Sequence, residues 1–250
     1  YLERKIALKM VMPSCLHDDV ARERFLREIE ILADLNHPQI VQVFNVHQGD
    51  DVFYYTMELL EGSSLSESIG VESKAPWSKR LHTLASMADV LAFIHDRGIH
   101  HRDLKPDNAM VVEERGPVLI DFGIAKDLKH GEGLTQGGQV LGTLAYMAPE
   151  LLSGSKAGKE SDIFAFGVIL YEILTGSLPF TNPMSLKAKT PEHPSKVNPR
   201  IPKKIVELIV SSMAVDVKER PKDFHQISQV LEGEARSLEK GSFPSQTSGV

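Results

Sequence analysis

The run IFAFGVILYEIL, Ile163–Leu174, constrains this chain more than any other stretch. It is apolar nearly all round, interrupted only by Glu172. A helix of that kind has no solvent face, so it must lie inside a large domain with other helices packed about it. It falls short of the roughly 18 apolar residues that a membrane span needs. Partner helices are legible on either side. Leu81, Leu84, Ala88, Leu91 and Ile94 recur at helical spacing over Ser78–Arg97, and Gly98 ends that pattern. Ile205, Leu208, Ile209 and Met213 mark another amphipathic helix, and Phe224, Ile227 and Leu231 a third.

The first sixty residues have a different character. Tyr1–Met12 predicts a strand, closed by Pro13. Asp18 or Asp19 can cap a helix to about Leu35, which Asn36-His37-Pro38 stops. Ile40–Val46 and Val52–Leu60 are β-rich and separated by Gly49-Asp50-Asp51, a hairpin signal. The expected fold class is therefore α+β. A small antiparallel β lobe with one helix covers 1–60, a large, mainly helical lobe covers 61–240, and 241–250 is a polar disordered tail. The crossing between lobes is expected at 58–65, and no internal repeat is visible.

Composition narrows the function. The net charge of -6 and pI near 5.9 argue against a nucleic-acid surface, which needs clustered Lys and Arg. Cys15 stands alone, so no internal disulfide and no thiolate zinc site can form, and a reducing compartment is the default. With no membrane segment or signal peptide in the sequence, the expected location is cytoplasmic, or the cytoplasmic part of a larger protein.

Residues 99–108 read IHHRDLKPDN, and DFG follows at Asp121–Gly123. Between them, Ala109–Val112 and Val118–Ile120 are short apolar runs around a turn, Glu113–Pro117. Paired as an antiparallel hairpin, they bring Asn108 and Asp121 together at the open end, with Asp103 just before. An amide oxygen beside a carboxylate is a hard-oxygen site, best suited to magnesium carrying substrate phosphates. Either three-residue motif alone would read as a polar turn with a helix cap. Their order, spacing and shared hairpin make them one site.

These residues resemble the catalytic loop and magnesium motif of the eukaryotic-type (Hanks-type) Ser/Thr protein kinases. The resemblance extends along most of the chain. IALK (Ile6–Lys9) is similar to the strand whose Lys holds the nucleotide's phosphates, and GTLAYMAPE (Gly142–Glu150) to the end of the activation segment. SDIFAFG (Ser161–Gly167) resembles the buried central helix, and ERP (Glu219–Pro221) supplies the Arg that pairs with the APE Glu. The resemblance implies a two-lobed kinase fold and transfer of the γ-phosphate of Mg·ATP to protein Ser or Thr hydroxyls. It implies Asp103 as the group that accepts or orients the hydroxyl proton, Arg102 reaching toward the activation segment, and Lys105 steadying the γ-phosphate. Asn108 and Asp121 hold Mg²⁺, with Mn²⁺ an alternative. The adenine pocket falls on Ala7 above and Met110 below, Met57 as gatekeeper, and the backbone of Glu58 and Leu60. Lys105 and Thr143 are typical of Ser/Thr rather than Tyr kinases, and the wording of the later motifs is closest to bacterial ones. His101 is read as the packing His of the HRD motif, since adjacent histidines rarely ligate one ion well. Thr135 is the expected activating phosphosite, and Thr143, Glu150 and Arg220 organise the segment around it. Partners are ATP and Ser/Thr-bearing proteins, with dimerisation for autophosphorylation also compatible.

The helix partner of Lys9 follows from periodicity. Ala21, Phe25, Ile29 and Leu32 define the apolar face of the helix over 19–35. Glu28 lies about 60° from Phe25, at the edge of that face, whereas Glu23 and Glu30 point away. Glu28 is therefore the expected partner, and it also matches the family's position.

The sequence departs from the family in one respect. Only eight residues precede Lys9 and none is Gly, so the glycine-rich loop is missing; Gly131–Gly138 has the wrong spacing and place. The non-initiator Tyr1 favours an N-terminal cut. These 250 residues alone are expected to bind Mg·ATP weakly and turn over near background. Two rivals stand beside the kinase reading. A pseudokinase is favoured by the missing loop and opposed by intact Lys9, Glu28, Asp103, Asn108 and Asp121. A small-molecule phosphotransferase would not be expected to carry the APE and SDIFAFG elements.

Overall fold

The computed structural model describes residues 4–11, 19–49, 53–123, 144–180 and 191–241. Strands β1 (Ile6–Val11), β2 (Val43–Gln48) and β3 (Phe53–Glu58) form a small antiparallel sheet in the order β1-β3-β2. Helix α1 (Asp19–Ala33) packs against β2 and buries Phe25, Ile29 and Leu32, the face its periodicity marks. Glu23 and Glu30 are exposed, and Glu28 lies between.

The strand expected over Ile40–Val46 begins only at Val43. Gln39 and Val41, on either side of Ile40, bond to Leu119 instead. The Leu119 N–H donates to the Gln39 carbonyl and the Val41 N–H to the Leu119 carbonyl, each at 2.9 Å. Successive strand residues face opposite ways, so a continuous strand would send either Ile40 or Val41 outward. Leaving the sheet buries both, at 2% and 5% exposure.

Leu119 belongs to a second sheet, built from β4 (Ser63–Ser64), β5 (Ala109–Val112) and β6 (Gly116–Leu119) in that order. The bonds from Gln39–Val41 therefore tie the two sheets together. Between β4 and the large helices lies the short helix α2 (Leu65–Ile69), which the hydrophobic pattern did not reveal. Its start is a capping box: the Ser64 hydroxyl accepts from the Glu67 N–H at 3.2 Å, and the Glu67 carboxylate accepts from the Ser64 N–H at 2.9 Å.

The remaining elements are helical: α3 (Trp77–His95), α4 (Pro149–Leu152), α5 (Lys159–Thr175), α6 (Pro194–Val197), α7 (Lys203–Ser212) and α8 (Phe224–Glu239). Helix α5 contains the apolar run Ile163–Leu174, and every residue from Ser161 to Tyr171 is buried. Helices α3 and α8 pack together, and α5 packs on α7 at Gly167. A Cβ at Gly167 would stand 2.7 Å from the Ser212 Cβ, so any side chain there forces the two helices apart. The architecture is α+β, a small antiparallel sheet lobe beside a larger helical one. Among the described residues no helix is long and apolar enough to cross a membrane.

Candidate active site

The β5–β6 hairpin sets the site. Ala109 pairs with Leu119, and the Ile120 N–H donates to the Asn108 carbonyl at 3.0 Å. Asn108 and Asp121 therefore flank the open end of the hairpin, where the sequence pattern puts them. The Asn108 side chain is buried, and its Nδ2 donates to the Asp103 carbonyl at 2.7 Å. That bond fixes the amide's orientation and turns its oxygen to the other side.

The loop carrying Asp103 is held from below by α5. Asp162, 2% exposed, accepts from the His101 N–H at 2.7 Å, the Arg102 N–H at 2.9 Å and His95 Nε2 at 2.9 Å. Burial pushes the Asp162 carboxyl up, but the hydrogen bond from His95, the electrostatic influence of His101 and His95 and the Arg102 N–H together outweigh it and hold the group below the usual range. Arg102 sits at φ 64°, a left-handed conformation that costs a non-glycine residue about 1–2 kcal/mol. Its N–H bond to Asp162 keeps it there. The sequence pattern places Asp162 in the SDIFAFG run but carries no sign that it anchors this loop.

His101 is fully buried and stacks on Phe122 with ring centroids 4.6 Å apart, and burial pushes its pKa down. The Gly123 N–H donates to the His101 carbonyl at 2.8 Å. A Cβ at Gly123 would stand 3.0 Å from the Asp103 Cβ, so only glycine lets the two motifs touch this closely. Lys105 Nζ lies 4.0 Å from Asp103 Oδ2.

The ion pairs differ from expectation. Lys9 stands opposite Tyr55 in the sheet and its ammonium meets the Asp121 carboxylate, not Glu28. Glu28 instead accepts from Arg102 Nη1 at 2.8 Å. Periodicity correctly places Glu28 on the inner edge of α1. Two cations lie on that side, however, and helix phase cannot choose between them. Burial, and then the charge of Asp121, push the Tyr55 hydroxyl well above its ordinary range.

Around the expected adenine pocket, Ala7 and Met57 are partners across β1 and β3. The Glu58 N–H is already given to the Gln42 carbonyl at 2.9 Å, and its carboxylate accepts from Arg115 at 2.6 Å, so its carbonyl is what it can offer a ligand. Leu60 and Met110 are half-buried, Met110 pairing with Ser64 and Val118.

Glu150 and Arg220 meet as a two-pronged pair, at 2.7 and 2.8 Å, with the Arg220 side chain sealed from solvent. Arg220 also donates to the carbonyls of Glu160 and Ala214. The lone charge in the α5 run has a partner as well: the Tyr146 hydroxyl donates to Glu172 at 2.5 Å, and burial pushes the Glu172 carboxyl up. Thr135 and Thr143 lie outside the described residues.

No group of three His, Cys, Asp or Glu able to hold a metal exists among the described residues. Asn108 and Asp121 offer two hard oxygens, a donor set that fits a divalent cation completing its shell with phosphate oxygens and water. The arrangement can thus bring a carboxylate, Asp103, beside a cation-bound phosphate, with Lys9 and Lys105 near enough to neutralise charge.

The family described as the protein kinase domain matches residues 2–232. The chain is 35% identical over 253 residues to the serine/threonine-protein kinase PknD of Chlamydia abortus, covering 87% of this chain and 27% of that protein. It is 33% identical over 231 residues to the probable serine/threonine-protein kinase PknB of Lactococcus lactis, covering 90% and 37%. It is also 33% identical over 221 residues to the serine/threonine-protein kinase PrkC of Bacillus subtilis, covering 86% and 34%. The chain spans between 27% and 37% of the length of these relatives.

Proposed function

We propose, from the premise that this chain belongs to the protein kinase domain family, that it transfers the γ-phosphate of ATP to Ser and Thr hydroxyls of proteins. The observation that carries the reading is the hairpin end, where Asn108 and Asp121 meet and Asn108 bonds to the backbone of Asp103. The family implies ATP and a divalent cation, and the two hard oxygens favour Mg²⁺, which would neutralise phosphate charge. Asp103 orients the acceptor hydroxyl and takes its proton. Lys105, 4.0 Å away, steadies the phosphate as it moves. Ala7, Met57, Met110 and the backbone of Glu58 and Leu60 hold the adenine.

Lys9 and Asp121 are each about a third exposed, and a pair of that kind is worth under ~1 kcal/mol. Lys9 can therefore leave Asp121 for phosphate oxygens, and Asp121 can turn to the cation, at small cost. Glu28 becomes the partner of Lys9 once Arg102 releases it. Thr135 is the proposed activating phosphosite: its phosphate would compete for Arg102 through charge-assisted hydrogen bonds and free Glu28. Full activity with Thr135 unmodified in a phosphopeptide map would rule that step out.

Calorimetry of ATP binding to the natural gene product tests the site. Binding should need a divalent cation and should weaken ~10-fold or more in Asp121→Asn, the scale of a lost charge-assisted contact. Equal affinity with and without the cation contradicts the assignment.

A further inference from the structure

The end of α2, the start of α3, the end of α5 and the segment after α6 converge away from the hairpin. They enclose a groove of about 300 Å³, lined by Val71, Trp77, Arg80, Val197, Asn198 and Arg200. That is the lower end of the size range of ligand pockets. Its chemistry is uneven in an informative way. Arg80 is 8% exposed, and a guanidinium so buried normally sits against a carboxylate. Here Nε donates to the Ala75 carbonyl at 3.0 Å and Nη2 to the Ser73 carbonyl at 2.8 Å, and no carboxylate pairs with it. Burial alone lowers its pKa. Nη1 has no acceptor among the described residues and is not sealed from solvent.

Arg200 stands across the groove, exposed and also without a carboxylate partner among the described residues. Its backbone is fixed: the Arg200 N–H donates to Asn198 Oδ1 at 3.2 Å, while Asn198 Nδ2 donates to the Leu174 carbonyl at 2.7 Å. Glu72 and Glu192 are exposed nearby in sequence and pair with neither arginine. Residues 181–190, outside the described set, read TNPMSLKAKT and contain no Asp or Glu. Two guanidinium groups thus face one groove, and among the described residues no carboxylate meets them. Beside them lie an indole and two valines.

We propose that this groove docks an acidic segment of a protein substrate, a glutamate or aspartate next to an aliphatic residue. The carboxylate takes Arg80 Nη1 and the Arg200 fork, and the aliphatic side chain lies on Trp77, Val71 and Val197. The inference rests on the phosphotransfer reading and adds to it the class of substrate recognised. Arg200 supplies charge that can be removed without touching the fold, whereas Arg80 also holds the Ser73–Ala75 turn.

Trp77 is the only tryptophan in the chain, so its emission reports on the groove directly. The test titrates an acetylated, amidated hexapeptide of alternating glutamate and leucine against the protein without nucleotide, beside its lysine-for-glutamate counterpart. A saturable change in Trp77 emission is expected with the glutamate peptide only. It should weaken at least ~10-fold in Arg200→Glu, the scale of a charge-assisted hydrogen bond, and weaken with added salt. Transfer to a short substrate lacking acidic residues should be unchanged in Arg200→Glu, while KM rises for one carrying the acidic segment. No saturable change, an equal response to the lysine peptide, or indifference to Arg200→Glu overturns the proposal. So does the same response to inorganic phosphate, which would make the groove a simple anion site. A protein that binds the peptide but transfers no phosphate overturns the phosphotransfer reading and leaves the groove standing.

Discussion

Asp103→Asn in the natural gene product is expected to lower phosphate transfer at least ~10²-fold, the usual scale for a positioned general base. The substitution keeps the shape of the side chain and removes its ability to take a proton. It leaves the backbone carbonyl of residue 103 in place, so the Asn108 contact at 2.7 Å survives and the hairpin end keeps its geometry. ATP affinity should therefore hold while turnover falls. That split separates loss of chemistry from loss of binding. Equal turnover in the two proteins would remove Asp103 from the mechanism.

Asp162→Ala is expected to cost ~3–5 kcal/mol of stability, because each buried donor left without its acceptor costs ~1–3 kcal/mol. Set against a total of ~5–15 kcal/mol for a domain, that is a large share. The change strands the N–H groups of His101 and Arg102, both now satisfied by one carboxylate from α5. It also frees Arg102 from its left-handed conformation, one residue before Asp103. Activity should fall even in the fraction that stays folded. Asp162→Asn keeps one acceptor oxygen for three donors, so it should fold better than Asp162→Ala and still transfer slowly. Wild-type turnover in folded Asp162→Asn would show that the anchor does not position the loop. Because the folded carboxyl is held below its ordinary value, its contribution is complete above the unfolded carboxylate range. It is lost as pH falls through the folded value. Denaturant midpoints measured down to pH 3 should show a drop in the wild type that Asp162→Ala lacks.

The parts of this structure that the sequence disclosed are those governed by local pattern. Helix phase put Phe25, Ile29 and Leu32 inside and Glu28 at the edge, and two short apolar runs around a turn placed Asn108 beside Asp121. What escaped depended on contacts between distant residues. The pairing of Lys9 with Asp121 and Glu28 with Arg102 is a choice among four charges in one cleft, which no single element's pattern contains. Ile40 and Val41 left their expected strand because Leu119, far along the chain, gave its N–H to the Gln39 carbonyl and its carbonyl to the Val41 N–H. Nothing local to the apolar helix announces that His101 and Arg102 need Asp162, or that Tyr146 needs Glu172. One omission was avoidable. Ser64 followed three residues later by Glu67 is a capping-box signature, and it marks the start of α2.

The groove around Trp77 and the hairpin around Asp121 make separate demands on a substrate, one for an acidic segment and one for an acceptor hydroxyl. Only the second is central. The most direct test incubates the natural gene product with γ-labelled ATP, Mg²⁺ and a generic basic protein, then identifies the labelled residues by mass spectrometry. Label on serine and threonine, absent without the cation and absent in Asp103→Asn, is the expected result. ATP bound but never transferred, or label found on tyrosine alone, would contradict it.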